Sequence, residues 1–559
     1  MYRPWLAHYP KGVPAEIDLG RYVSLVDLLD KAFAHFADRV ACTASGTEIT
    51  YAALDRHASH FAAWLQSLDL PAGSRVALMM PNVPAYLACL VGTLRAGHAA
   101  VNVNPSYQAG ELQRQLQDSG AAVIVVIENF AHTLQAVPDR AGLRHIVIAA
   151  AGDLHGPLKG SVMDLAVRHV KRAVPDYDLP GATRLRAALT AGARHSFEPP
   201  ALNMDTLAVL QYTGGTTGTP KGAMLTHRNL AANILQTEAI AWPAVHDVAG
   251  QLTVISALPL YHVFAMTVCG LYGMHAGMNN LLIADPRDTT ALVAAWRKTP
   301  VHVFPGVNTL FNALARNTEF ATLDFSSLRL TFGGGMAVQR AVAQRWEALT
   351  GRPVIEGYGL SETAPVASVN PTNSTGYTGT IGLPVPSTDI AILDEAGLGL
   401  PTGEAGEVCI RGPQVMAGYW QRPDDTRAVM TEDGFFRSGD IGVMDEQGYT
   451  RIVDRKKDMI NVAGFNVYPN EVEDVIASHP GVLEVAVVGS ADEYSGECVK
   501  VFIVRRDPDL QAAQLRAWCR DKLAGYKRPR QIEFVDALPK SSVGKVLRRE
   551  LRSAGGPAA

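Results

Sequence analysis

Up to Asp440, short apolar runs rich in β-branched residues alternate with longer segments whose apolar positions have helical spacing. The apolar runs at residues 121–127 and 143–150 are predicted to be strands, and residues 51–68 are predicted to form a helix. This alternation is typical of βα units around largely parallel sheets. We therefore predict an α/β fold whose large N-terminal domain consists of βα-type sheets packed with helices.

The pattern changes across the charged segment 451–469. Beyond it, residues 482–490 are predicted to be a strand and residues 514–523 a helix. This shorter pattern indicates a small α+β C-terminal domain, whose mobility is a separate expectation that rests on the resemblance described below. We place the boundary so that residues 1–456 form the N-terminal domain and residues 457–559 the C-terminal domain.

Residues 248–284 contain no formally charged side chain, which raises the question of a membrane span. The stretch also contains Pro259, His262, His275 and several glycines, a poor composition for about 20 continuous lipid-facing residues. A buried apolar region is the better interpretation. Together with residues 306–314, it is our candidate wall of a tunnel for an apolar ligand.

Composition narrows the class of protein. A chain of 559 residues is long enough for two or three domains, and a net charge of -4 gives no overall attraction for nucleic acid. The six cysteines are scattered without a CxxC pair, which argues against structural zinc or a disulfide framework. The N-terminus lacks the order of a signal peptide, so we expect a cytoplasmic protein.

Residues 212–222, YTGGTTGTPKG, contain four glycines, four threonines and Lys221. The segment follows a predicted strand at 206–211 and precedes a predicted helix capped by Thr226, so we expect a loop from strand to helix. Glycine backbone, hydroxyl donors and one cation together suit phosphate oxygens. The loop is not a Walker loop, because Lys221 lies between Pro220 and Gly222.

This loop is one of several motifs in a distinctive order. The others are LPLYHVFAM (258–266), GGGM (333–336), EGYGLSETAP (356–365), RSGDIG (437–442), DRKKDMI (454–460) and PKSSVGK (539–545). Their order, over nearly the whole chain, resembles the adenylate-forming superfamily and specifically its bacterial long-chain fatty acid CoA ligases. The departures are Gly214, where many relatives have serine, and Ser438, where many have threonine.

The resemblance implies an ATP-dependent ligase that uses Mg²⁺ and coenzyme A. Such an enzyme joins a fatty acid to AMP, releases pyrophosphate, and then transfers the acyl group to the CoA thiol. The nucleotide contacts that it implies are Thr213, Gly214, Gly215, Thr216, Thr217, Gly218, Lys221, Gly333, Gly334, Gly335, Glu356, Gly357, Tyr358, Gly359, Ser361, Asp440 and Arg455.

The resemblance also implies individual roles. Lys545 would be the catalytic lysine, aided by Lys221, and His262 would gate access to the acyl carboxylate, with Phe264 beside the chain. Thr213 and Glu362 would bind Mg²⁺, Tyr358 would stack on the purine, and Asp440 and Arg455 would meet the ribose. In the C-terminal part, Lys457 would mark the hinge and Gly464 would line the pantetheine tunnel.

Residues 156–196 carry a local net charge of +4. Within them, residues 161–174 are predicted to form an amphipathic helix, with Val162, Leu165, Ala166, Val170 and Ala173 on its apolar face. That face either packs on its own domain or rests transiently on anionic lipid of the inner membrane. A homodimer is a further hypothesis.

Other functions are kept as alternatives: an aryl-CoA or medium-chain acyl-CoA ligase, and an acyl-AMP ligase that loads a carrier protein. A non-catalytic nucleotide-binding relative would be expected to lack one of four residues. All four are present: Lys221, Glu362, Asp440 and Lys545.

Overall fold

The structure is a computed structural model that describes residues 3–140, 142–213, 220–285, 287–455, 457–463, 465–492, 494–541 and 544–553. Its strands are β1 (Val40–Ala44), β2 (Thr47–Thr50), β3 (Arg75–Met79), β4 (Ala99–Asn102), β5 (Ala121–Ile127), β6 (His145–Ala149), β7 (Thr183–Arg184), β8 (Leu207–Thr213), β9 (Lys221–Thr226), β10 (Thr253–Ser256), β11 (Asn279–Leu282), β12 (Val303–Gly306), β13 (Leu330–Gly333), β14 (Val354–Gly359), β15 (Val366–Val369), β16 (Leu383–Pro384), β17 (Asp389–Leu393), β18 (Ala405–Arg411), β19 (Phe436–Met444), β20 (Thr450–Arg455), β21 (Ile460–Val462), β22 (Phe465–Val467), β23 (Val482–Asp492), β24 (Gly496–Arg505) and β25 (Gln531–Phe534).

The helices are α1 (Leu25–His35), α2 (Tyr51–Gln66), α3 (Pro84–Arg95), α4 (Ala109–Ser119), α5 (Ala131–Gln135), α6 (Pro157–Leu165), α7 (Leu185–Gly192), α8 (His227–Val245), α9 (Val263–Ala265), α10 (Tyr272–His275), α11 (Thr289–Lys298), α12 (Asn308–Leu314), α13 (Arg340–Thr350), α14 (Pro423–Val429), α15 (Pro469–Ala477), α16 (Ala512–Arg520) and α17 (Arg548–Ser553). Two π-helical segments, Ala166–Val170 and Met266–Leu271, continue α6 and join α9 to α10. Short 3-10 turns are Pro4–His8, Leu19–Arg21, Glu128–Phe130, Phe320–Thr322, Ser361–Thr363 and Gly525–Lys527.

Two large sheets have parallel centres. One has the order β16-β15-β14-β13-β12-β10-β11-β1-β2 and is parallel from β14 to β1, and the other has the order β7-β6-β5-β3-β4-β8-β9 and is parallel from β7 to β8. Antiparallel strands close their edges. The predicted α/β class is confirmed, with helices packed around these sheets.

Two smaller sheets follow in the chain. The antiparallel sheet β17-β18-β19-β20 ends at Arg455, and the C-terminal sheet, β22-β21-β24-β23 with β25 paired to β24, begins at Ile460. With α15 and α16 this C-terminal sheet forms the predicted α+β pattern. The predicted boundary at residue 457 falls between the two sheets.

The predicted local elements agree with the structure except around the glycine and threonine loop and at the amphipathic helix predicted for residues 161–174. Residues 221–226 form β9, which pairs antiparallel with β8, so the loop joins two strands of a hairpin. The expected passage from strand to helix is therefore wrong. Helix α8 starts one residue after β9, and Thr226 caps it as predicted by accepting a hydrogen bond from the Asn229 amide.

The charge-free stretch is buried in the N-terminal domain, where β10, α9, α10 and β11 contribute to the largest apolar core. Within the residues described, no helix combines the length and apolarity that a membrane crossing needs. The interpretation of residues 248–284 as a buried apolar region is confirmed.

The predicted amphipathic helix has the opposite orientation to the one expected for packing on its own domain. Its apolar side chains are exposed, between 63% and 84%: Leu158, Val162, Leu165 and Val170. Two of its charged side chains instead face the protein, since Asp164 pairs with Arg186 and Arg168 pairs with the buried Glu128. The helical path also ends earlier than predicted, at Val170, and Arg172 has a positive φ.

Candidate active site

Most of the predicted site residues line one cavity of about 1020 Å³ between the N-terminal motifs and the C-terminal segment. These are Thr213, Lys221, His262, Gly333, Gly334, Gly335, Gly357, Tyr358, Gly359, Ser361, Glu362, Arg455, Lys457 and Lys545. Glu356 and Asp440 line the adjoining cleft. Gly214, Gly215, Thr216, Thr217, Gly218 and Gly464 lie outside the described residues.

The hairpin of β8 and β9 fixes the two ends of the glycine and threonine loop. Thr213, the last residue of β8, is paired directly with Lys221, the first residue of β9. The hydroxyl and the ammonium group therefore start from opposite strands at the same level of the ladder. Both residues line the cavity.

Lys221 is part of a chain of polar contacts at the cavity wall. Its Nζ lies 2.8 Å from Asp425 Oδ1 and 5.3 Å from the centre of the Tyr419 ring. The Tyr419 hydroxyl in turn donates to Glu362 Oε1 over 2.7 Å. A phosphate that binds Lys221 would compete with Asp425 for its charge.

Glu362 has the properties of a hard cation ligand. Its carboxyl is 8% exposed, and burial raises its pKa. A buried carboxylate of this kind is stabilised by a nearby cation. Thr213 lines the same cavity, so the two predicted Mg²⁺ ligands share it.

Asp440 joins two elements of the cleft. Its Oδ2 accepts a hydrogen bond of 2.6 Å from the Tyr358 hydroxyl, and its Oδ1 lies 3.0 Å from Arg455 Nε. The backbone amide of Asp440 donates a hydrogen bond to Ser438 Oγ. Serine at position 438 therefore supplies the same hydroxyl acceptor that threonine would. Each carboxylate oxygen has a second lone pair with which to accept from a ligand hydroxyl.

Lys545 lies among other cations in the cleft. The Arg455 guanidinium, followed by loss of solvent, lowers the pKa of Lys545 to about 8, and the Asp440 carboxylate opposes this shift. Lys457 and Arg548 act in the same direction as Arg455. An anion bound among these groups would relieve their mutual repulsion.

The glycine triplet allows close packing of an aromatic ring. A Cβ on Gly334 would lie 3.1 Å from Phe264 Cζ, and Gly335 has a φ of +74°. Phe264 therefore packs against bare backbone at the junction between the nucleotide motifs and the apolar wall. His262 lies two residues earlier, and burial lowers the pKa of its imidazole to about 4, which keeps the ring neutral at pH 7.

Part of the cavity lining is apolar. These lining residues are Ile240, Val268, Val307, Phe332, Val366, Val369 and Val385. The charge-free stretch contributes as expected, but of residues 306–314 only Val307 is among the lining residues. Phe311 instead packs against Phe304 and Trp346 in the core, while Asn308, Thr309 and Asn312 face the adjoining cleft. The expectation of a second tunnel wall at 306–314 is to that extent wrong.

Glu356 has a structural contact in addition to its position by the cleft. Its Oε1 accepts a hydrogen bond of 3.0 Å from the Val338 amide, and burial raises its pKa to about 7. This contact ties β14 to the segment that follows the glycine triplet. The predicted nucleotide contact of Glu356 stays a prediction.

The chain belongs to the AMP-binding enzyme family. The family's AMP-binding enzyme region matches residues 29–420, and its AMP-binding enzyme C-terminal domain matches residues 471–545. The membership inferred from the motifs is therefore confirmed.

Similarity to individual proteins is more specific than the match to the family. A long-chain fatty acid CoA ligase of Escherichia coli O6:H1 (strain CFT073) is 52% identical, with 99% of this chain and 98% of the relative covered. The Bacillus subtilis (strain 168) long-chain fatty acid CoA ligase is 36% identical, with 98% and 97% covered. Among solved structures, ATP-bound MatB from Rhodopseudomonas palustris is 29% identical, with a TM-score of 0.81 and coverage of 95% and 98%.

Two contacts of the site were missed by the sequence analysis: Tyr419 beside Glu362 and Asp425 beside Lys221. Each lies far along the chain from its partner. The only available signal was that Tyr419 and Asp425 lie shortly before the RSGDIG motif in the sequence. That position does not identify the residues that they contact.

The pKa of Lys545 predicts a pH profile. If its ammonium form acts in adenylation, kcat/KM for ATP in pyrophosphate exchange falls as pH rises through about 8, because the free enzyme loses that charge. The Lys545→Arg variant is expected to be less active than wild type. Because its guanidinium stays charged, its kcat/KM should not show this fall with rising pH. A wild-type profile that stays flat well above the pKa of Lys545 would contradict the assignment.

Proposed function

We propose that this protein ligates a long-chain fatty acid to coenzyme A in two steps at the cavity described above. A carboxylate oxygen of the acid bonds to the α-phosphorus of ATP, whose bond to the pyrophosphate oxygen breaks. The CoA thiol then gives up its proton to solvent as its sulfur bonds to the acyl carbon, and AMP leaves as the bond between that carbon and its phosphate oxygen breaks. The observation that carries this proposal is the cavity itself, whose lining combines the nucleotide motifs, Lys545 and several apolar side chains.

The 52% identical relative named as a long-chain fatty acid CoA ligase supports the choice of substrates. The apolar part of the cavity lining supports it independently, since burying an alkyl chain is favourable by about 0.8 kcal/mol per CH₂. The ATP-bound relative of known structure supports ATP as the nucleotide.

In the proposed first step, the loop between Thr213 and Lys221 holds the ATP phosphates. Tyr358 presents its ring to the adenine, and Asp440 accepts hydrogen bonds from the ribose hydroxyls. Thr213 and Glu362 are the protein oxygens for Mg²⁺, which binds proteins through one or two oxygen ligands and otherwise through substrate phosphates and water. When bound, the ion neutralises phosphate charge.

The proposed role of Lys545 is to bring its ammonium group between the acyl carboxylate and the α-phosphate. There it stabilises the negative charge that develops as the adenylate forms. His262, neutral at pH 7, lies where the carboxylate enters, and Phe264 lies beside the first part of the acyl chain. Glycines 333–335 supply the backbone of the adjoining wall.

In the proposed second step, the C-terminal domain, residues 457–559, turns about Lys457 to present another face to the adenylate. Gly464 would then line the passage for the pantetheine thiol. A side chain at that position would narrow the passage.

The alternatives differ in what the acyl site and the thiol site accept. Pyrophosphate exchange over carboxylates of graded length, followed by product analysis with and without CoA, separates them. An aromatic or medium-chain optimum would replace the long-chain assignment. Adenylate formation without transfer to CoA would favour the acyl-AMP ligase.

The Lys545→Ala variant tests the division of the reaction. We expect pyrophosphate exchange to fall by about 10² to 10³, as when one stabilising donor is removed, while transfer from supplied acyl-AMP to CoA is largely kept. Lys522→Ala, in the same domain and stacked on Trp518, is the control for removal of a lysine. Equal losses in both half-reactions would contradict the proposed roles.

The Glu362→Gln variant tests the Mg²⁺ site. Glutamine keeps an oxygen to accept from Tyr419 but loses the negative charge, so the Mg²⁺ concentration for half-maximal adenylation should rise. The measurement is a Mg²⁺ titration of pyrophosphate exchange at fixed ATP. An unchanged midpoint would remove Glu362 from the ion site.

We propose in addition that the cytoplasmic enzyme rests transiently on the inner membrane through the exposed face of α6. The apolar side chains of Leu158, Val162 and Leu165 project from this face. Lys171 and Arg172, just beyond the helical path, are exposed beside it. Apolar groups with flanking cations are typical of surfaces that bind anionic lipid.

Internal ion pairs fix this orientation. Glu128 is 2% exposed and its Oε2 accepts from both Arg168 and Arg184, while Arg186 pairs with Asp153 and Asp164. Turning the apolar face inward would break the two pairs made by the helical segment itself, Arg168 with Glu128 and Asp164 with Arg186. Lys171 and Arg172 are therefore the cations that we assign to lipid, each contributing roughly 1 kcal/mol near an anionic surface.

Vesicle co-sedimentation tests this surface. Lys171→Glu with Arg172→Glu should weaken binding to anionic vesicles at low salt by roughly tenfold or more. Val162→Asp should weaken it as well, whereas Val23→Asp, at an equal exposure of 69%, is the matched control for a new charge. If Val162→Asp and the double variant bind as wild type does, this face has no membrane role.

A further inference from the structure

The turn that carries Lys545 meets the large domain in a tightly fitted contact. A Cβ on Gly544 would overlap Thr309 Oγ1 and would lie 3.5 Å from Thr309 Cβ and 3.8 Å from its Cγ2. Gly544 also has a φ of +77°, which a side chain disfavours. The glycine immediately before Lys545 thus fits against Thr309 with no spare room for a side chain.

Thr309 is held rigidly on the large domain. It is the second residue of α12, whose Phe311 is buried against Phe304 and Trp346. The residue before it, Asn308, accepts a hydrogen bond of 2.9 Å from the Gln339 amide. The backbone of Thr309 is therefore held in place, and its β-branched side chain is restricted to two favoured rotamers on a helix.

The contact is transmitted to Lys545 through a closed turn. The Gly544 amide donates to the Ser541 carbonyl over 2.9 Å, and the Ser541 amide donates to the Lys545 carbonyl over 2.8 Å. The Lys545 amide donates to Ser541 Oγ over 3.2 Å. Three residues later, Arg548 anchors the chain by donating to both oxygens of Glu473 at 2.8 Å. Because these bonds fix the turn, a displacement of Gly544 displaces the backbone of Lys545.

We propose that Thr309 is the seat on which the Lys545 turn docks for adenylation. Thr309 acts as a positioning residue, because it fixes where the lysine enters the cavity through Gly544. The fit selects glycine at position 544 for two separate reasons, its backbone conformation and the proximity of Thr309. This inference rests on the proposed function, in which Lys545 acts in the first half-reaction.

The two reasons are separable by experiment. Gly544→Ala introduces both a strained φ and the overlap with Thr309. Gly496→Ala, in the same domain, introduces the same strain at a φ of +76° but has no atom within 4 Å of the new Cβ. Thr309→Ala removes the hydroxyl and the methyl group, and leaves a new Cβ at 544 at an ordinary distance of 3.5 Å.

We expect Gly544→Ala to lower kcat/KM for ATP in pyrophosphate exchange by roughly tenfold to 10²-fold, since small misplacements of a catalytic group have effects of this size. Gly496→Ala should lower kcat/KM by less than about threefold, because it introduces strain alone and does so at a position remote from the lysine. Thr309→Ala alone should cause a loss of a few fold, because the seat is weakened. In the Thr309→Ala background, the fold-loss in kcat/KM caused by Gly544→Ala should be smaller than in the wild-type background by a factor of at least about five.

Transfer from supplied acyl-AMP to CoA is the second readout, and it should stay within about twofold of wild type in all four variants. The seat is overturned if Gly544→Ala is as harmful in the Thr309→Ala background as in the wild-type background, or if both half-reactions fall together. The proposed role of Lys545 in adenylation is contradicted by a different result, namely that Lys545→Ala itself leaves adenylation intact.

Discussion

The cleft depends on the charge balance around Asp440. This carboxylate is 3% exposed, and it is satisfied from two elements: Tyr358 at the end of β14 and Arg455 at the end of β20. A buried carboxylate without such partners would be strongly unfavourable. The two contacts therefore tie the nine-stranded sheet to the last strand before the C-terminal domain. Arg455 also lowers the pKa of Lys545, so the same arginine links this balance to the lysine.

Much of the site was predictable, because motifs of adjacent residues keep their spacing whatever the fold. Lys221, Glu362 and Lys545 fall in one cavity as the resemblance implied. Strand β9 was missed because six residues acquire strand character only through pairing with β8. The partners Tyr419 and Asp425 were missed since local patterns carry no information on such distant contacts.

The face of α6 illustrates a different limit. An amphipathic pattern states that a helix has two faces, but it does not state which face meets the protein. The usual inward packing of apolar residues is overridden here by two ion pairs of the helical segment: Arg168 pairs with the buried Glu128, and Asp164 pairs with Arg186 of α7. Because these two charged side chains point toward the protein, the apolar residues are left outside.

The same electrostatics give the proposed two-step cycle a direction. Lys545, Arg455 and Lys457 repel one another in the cleft, as the lowered pKa of Lys545 reflects. ATP offsets this repulsion with its phosphates, so the arrangement with Lys545 inside is stabilised most when the substrate is most negative. Departure of pyrophosphate removes most of that charge and leaves the single phosphate of the adenylate. The repulsion then returns, and it favours withdrawal of Lys545 with its domain at the stage at which the thiol must reach the acyl carbon.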